Sequence, residues 1–68
     1  MPDDFGKAKQ NLKRSGLLCR HIVEHLAWIH DIYEKSQPDF AERIFVAAET
    51  TQELEGYLAS LHKQLCEL

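Results

Sequence analysis

Ser36-Gln37-Pro38-Asp39 decides how this chain folds, because the apolar pattern before it mirrors the pattern after it. Before the turn, Phe5, Ala8, Leu12, Ser15, Cys19, Ile22, Leu26, Ile29 and Tyr33 step by three and four without a slip. After it, Phe40, Ile44, Ala47, Thr51, Leu54, Leu58, Leu61, Leu65 and Leu68 do the same. This is heptad spacing, the seam that one helix presents to a neighbour. Proline at 38 cannot continue the first helix and disfavours a helical Gln37, so the chain reverses there. Folding at Ser36/Gln37 sets Tyr33 against Phe40 and Ile29 against Ile44, and the series ends with Phe5 against Leu68. Large side chains mostly meet small ones, as Leu26 with Ala47 and Ala8 with Leu65, the arrangement that lets facing positions interdigitate. The expectation is an all-α fold: an antiparallel two-helix hairpin with a heptad seam, dimerising into a four-helix bundle.

Outward from the turn, helix 1 is expected over about 4–35, the turn over 36–39 and helix 2 over about 40–67, all within one domain spanning 1–68. Pro2-Asp3-Asp4 makes a plausible helix start, with a carboxylate accepting from free N–H groups at the positive pole. Ser36 or Asp39 can cap helix 2, and Asp39 with Glu42 resembles a capping box. Lys35 suits the negative end of helix 1. Gly16 is the weak point of the first helix; the unbroken heptad favours one long helix over two short ones. Thr50-Thr51 is the least helix-favouring pair of the second.

The composition narrows the function. Sixty-eight residues form one small domain whose core is marginal. No apolar run is long enough to span a membrane, and the first residues lack the layout of a secretory signal, so a cytoplasmic protein is expected. Cys19 and Cys66 would lie about eleven helical residues apart in level, roughly 16 Å, too far for a bridge. Reduced, buried thiols are the expected state.

No catalytic constellation emerges. His21-Ile22-Val23-Glu24-His25 matches the H-x-x-E-H spacing of inverzincin peptidases, which puts both imidazoles on one helical face. Yet Glu24 lies about 60° around the helix from His21, and a catalytic zinc needs a third ligand and a cleft. No metal, no cofactor and no enzymatic activity are expected. Cys19 has no base beside it, and the acids of helix 2 (Glu42, Glu49, Glu53 and Glu55) mostly face solvent.

Apolar side chains outnumber what the two seams can use. On the first helix Leu17 and Trp28 point away from the seam, with Ile32 and Leu18 beside them and His21 and His25 among them; on the second Phe45, Val46 and Tyr57 do the same. A contiguous apolar patch marks an interface, and Trp and Tyr are favoured anchors. Self-association into a homodimer is the first expectation. A second protein bound through Trp28, Ile32, Leu17, His21 and Phe45 is the sharper one, giving an inhibitor, adaptor or co-chaperone.

The rival reading is nucleic-acid binding. Residues 1–20 carry Lys7, Lys9, Lys13, Arg14 and Arg20 against Asp3 and Asp4. The net charge of −3 opposes nonspecific binding, although a dimer could bring two basic patches together.

In layout the chain resembles two families. One is the Rop-type plasmid copy-control proteins, heptad hairpins that dimerise into four-helix bundles and bind paired RNA hairpins. The other is the small co-chaperones of type III secretion needle subunits, two-helix proteins that hold an aggregation-prone partner. Ala47-Ala48-Glu49-Thr50-Thr51-Gln52-Glu53-Leu54-Glu55-Gly56-Tyr57-Leu58 looks similar to the second helix of the latter. The first resemblance implies RNA binding, the second a protein client.

Overall fold

In a computed structural model the chain is a hairpin of two long helices, α1 (Pro2–Tyr33) and α2 (Pro38–Cys66). The structure describes the backbone of residues 2–68 and the side chains of 4–68; the capping expected of Asp3 lies outside the described residues. The Cα envelope measures 53 × 15 × 10 Å, two helices side by side.

The turn is built differently from the capping box the sequence suggests. α1 ends at Tyr33, so Lys35 belongs to the connection, and α2 opens at Pro38 rather than near Phe40. The N-cap is Gln37, whose side chain makes no capping hydrogen bond; Ser36 and Asp39 do not cap. Gln37 is outside the helical region (φ −138°, ψ 69°), in keeping with the clash that disfavours the α conformation for a residue before proline. Its amide donates to the Tyr33 carbonyl at 2.8 Å, and its carbonyl accepts from the Ala41 amide at 2.9 Å. One residue thereby closes one helix and opens the next. Pro38 sits where its missing N–H costs nothing, and Asp39 in the first turn complements the positive pole. Tyr33 and Phe40 meet across the turn edge to face, ring centroids 5.4 Å apart.

α1 is one continuous helix through Gly16, and no described residue has a positive φ. Hydroxyls inside the helices are satisfied locally: Ser15 Oγ donates to the Asn11 carbonyl, Thr50 Oγ1 to Val46 and Thr51 Oγ1 to Ala47. Thr51 can therefore sit half-buried between the helices without stranding a polar group.

The packed faces are turned slightly from the expected seams. On α2 the covered residues are Ala41, Ile44, Ala48, Thr51, Glu55, Leu58, His62 and Leu65, with Leu61 also half-buried. Ile44, Thr51, Leu58 and Leu65 keep their expected places, but Phe40, Ala47 and Leu54 give way to the next residue along and remain exposed. On α1, Leu12, Ser15, Cys19, Leu26 and Ile29 are covered as expected, while Val23 replaces Ile22. Phe5, Tyr33 and Leu68 also remain exposed. Only Cys19 (5 % exposed) and Ala41 (2 %) leave solvent altogether among the described residues. Small residues there, with Ser15 and Ala48 half-buried, let the helices approach closely and push large side chains to the flanks.

The two thiols differ, contrary to the expectation that both are buried. Cys19 is buried, whereas Cys66 is exposed at the end of α2, its Sγ 3.8 Å from His62 Nδ1. A thiol reagent added to native protein should label Cys66 at once and Cys19 only as the helices part. Mass spectrometry of a labelling time course checks this; equal rates would show that the seam opens freely.

Candidate protein-interaction surface

Two helices in contact leave two broad faces, one on each side of the line joining their axes. Stepping around each helix from its packed face assigns every residue to one of them.

The first face is grooved and polar-edged. Arg20 Nε and Nη2 reach Glu55 Oε2 across the helices, each at 3.3 Å. The arginine is largely solvated, so the pair contributes a few tenths of a kcal/mol up to about 1. Beside it an open groove of about 520 Å³ runs along Leu12, Lys13, Gly16, Leu17, Leu58, Ala59 and His62. Nearer the turn a smaller groove is lined by Val23, Ala27, His30, Asp31, Phe45 and Gln52. There the Phe45 ring lies against His30, centroids 6.1 Å apart, and His30 Nδ1 is 3.3 Å from Asp31 Oδ1.

The second face is apolar. α1 contributes Leu18, Ile22, His25, Ile29 and Ile32, again in steps of three and four, a quarter-turn away from the packed seam. α2 contributes Phe40, Ala47, Leu54 and Leu61 in heptad steps, displaced in the same sense. Because the helices run antiparallel, equal displacements bring both sets to the same side of the hairpin. Leu18, Ile22, Ile32, Phe40 and Leu54 are all exposed, Ile22 by 46 % and Leu54 by 49 %. Period alone does not separate this second seam from the first, because Ile22, Ile29, Phe40, Ala47, Leu54 and Leu61 also fit the expected packed seam.

The residues expected to bind a partner do not share one surface. Trp28 and His21 lie along the outer edge of α1, away from α2, with Trp28 67 % exposed, while Ile32 belongs to the apolar face. Leu17 borders the larger groove. Phe45 is on the grooved face, against His30. Tyr57 occupies the outer edge of α2 and is as open as Trp28.

The basic residues divide as well. Lys9, Lys13 and Arg20 fall toward the grooved face, Lys7 and Arg14 toward the apolar one. The Lys9 ammonium sits 4.3 Å above the Phe5 ring, and Arg20 is engaged with Glu55.

Two histidine groupings bear on metal binding. His21 and His25 are exposed one turn apart on α1. His30, Asp31 and Glu34 each bring a ligand atom within 4.8 Å of the others, a grouping the sequence pattern did not single out. Asp31 and Glu34 are exposed, and solvated carboxylates gather in this way on many helix ends without an ion. Among the described residues no helix is long and apolar enough to cross a membrane.

Compared with known proteins, the chain matches no family model, no curated protein and no solved structure.

Proposed function

We propose that this hairpin acts without catalysis as a binding protein, one that associates with itself and engages another protein as an inhibitor, adaptor or co-chaperone. The observation that carries the reading is the imbalance between covered and uncovered apolar side chains. Cys19 and Ala41 alone are buried among the described residues, while Trp28, Tyr57, Leu18, Leu54, Phe45 and Ile32 stand in solvent. A chain this small has little stability to spare, and exposed apolar surface on this scale gains most from being covered. Trp28 and Tyr57 bring large contact area at modest entropic cost, which suits them to anchor a partner.

Trp28→Ala tests the partner-binding half. Trp28 touches little of the hairpin, so the variant should keep its helical circular dichroism and melting midpoint. Its affinity for a captured partner should fall at least tenfold, the effect of losing an anchor residue. An unfolded variant would place Trp28 in the stabilising core and remove it from the partner surface. Retention on RNA or DNA at low salt, lost on charge reversal at Lys13 and Arg14, would favour nucleic-acid regulation instead.

A further inference from the structure

We infer that the apolar face formed by Leu18, Ile22 and Ile29 of α1 with Phe40 and Leu54 of α2 is the seat of a second copy of this chain, packed face to face. This deepens the proposed self-association by assigning it a surface.

Three observations support that occupant. The first is geometric. In a four-helix bundle every helix needs two apolar seams about a quarter-turn apart, one for its hairpin mate and one for the opposing pair. Both helices here have a second seam, displaced in the same sense. Displacement in opposite senses would have put the two seams on opposite sides and allowed no such layer.

The second is the area left uncovered. The chain exposes 5567 Å². A compact monomer of 7.9 kDa is expected to expose about 4,400 Å². The excess, on the order of 1,100 Å² over the whole elongated hairpin, is enough to supply the roughly 800 Å² per partner that a standard interface buries. The apolar series runs from Leu18 to Ile32 on α1 and from Phe40 to Leu61 on α2; a single helix would cover one of them, and a second hairpin brings a helix to each.

The third is the contrast between the faces. The opposite side is interrupted by the Arg20–Glu55 pair and by open, polar-edged grooves. Between Leu18 and Ile32 the apolar side has one polar side chain in its α1 seam, His25; nearer the start of α1, Lys7, Asn11 and Arg14 fall on the same side. A single polar residue within an apolar heptad is a recurrent way to fix register at a cost in affinity.

Sedimentation equilibrium of the full chain, read together with helical circular dichroism, tests the assignment. Wild type should sediment at twice the 7.9 kDa chain mass at micromolar concentration. Leu54→Asp should weaken association at least a hundredfold, and Lys13→Glu on the grooved face should leave it unchanged. Because Leu54→Asp can also unfold a hairpin that depends on its mate, His25→Leu supplies a variant that keeps the fold. It should tighten the dimer about tenfold by making the seam apolar from Leu18 to Ile32. A fully helical wild type at single-chain mass would overturn the inference together with the self-association it rests on. A dimer indifferent to both Leu54→Asp and His25→Leu would overturn this surface alone and leave the wider reading standing.

Discussion

Ala41→Leu should lower the stability of the hairpin by about 1–3 kcal/mol, the usual cost of forcing extra methylenes into a closed contact. Ala41 is the most deeply buried described residue, at 2 % exposure. It lies one turn into α2, where its amide is bonded to the Gln37 carbonyl. The turn lies only a few residues away and holds the two helix ends close together, so the helices have little room to spread at this level. For a domain whose total stability rarely exceeds about 3–5 kcal/mol, the loss should bring the melting midpoint down by on the order of 10 °C. Ala59→Leu, at an exposed position of the same helix, should change stability by less than about 0.5 kcal/mol. Thermal unfolding followed by far-ultraviolet circular dichroism reads both. Equal effects would mean that Ala41 does not mark the closest approach of the helices.

The second large effect has the opposite sign. Gly16→Ala and Gly56→Ala together should stabilise the protein by about 2 kcal/mol, near 1 kcal/mol for each glycine removed from a helix interior. Both glycines are helical, neither has a positive φ, and a methyl group at either would meet nothing within 4 Å. The gain therefore comes from the unfolded chain, which loses conformational freedom, and no contact opposes it. The double variant should melt on the order of 10 °C higher. No gain at Gly16 would show that α1 requires flexibility there in its working form.

The hairpin itself was legible from heptad stepping and Pro38, because a proline between two matched apolar series leaves few alternatives. The rotation of the helices was not. Phe40 and Ala41, Ala47 and Ala48, and Leu54 and Glu55 are neighbours, and either member of each pair satisfies the period. Hydrophobicity favours Phe40 and Leu54 for the interior, but closeness of approach favours Ala41 and Ala48. Glu55 accompanies them because Arg20 reaches its carboxylate. A pattern scored by apolarity selects the wrong member whenever small residues and a paired charge line the contact. The same slip conceals the second seam, since Leu54 and Ile22 were assigned to the first.

The expected partner residues share only that they point away from the expected seam, and that does not make side chains neighbours. Trp28 and Phe45 both point away from the expected seam, yet one is on the outer edge of α1 and the other beside His30. The capping box failed for a related reason. Asp39 and Glu42 have the right spacing, but Pro38 already starts the helix one residue earlier.

Gln37 belongs to both helices through its own amide and carbonyl, so the connection has no slack. With both of those hydrogen bonds in place, the φ and ψ of Gln37 set how α2 is oriented on α1. The number of residues counted from there thus works as an angular index. One residue more inserted within α2 after Ala41 would turn everything beyond it by about 100°, present a different stripe to its mate, and turn the greasy flank of α2 out of line with that of α1.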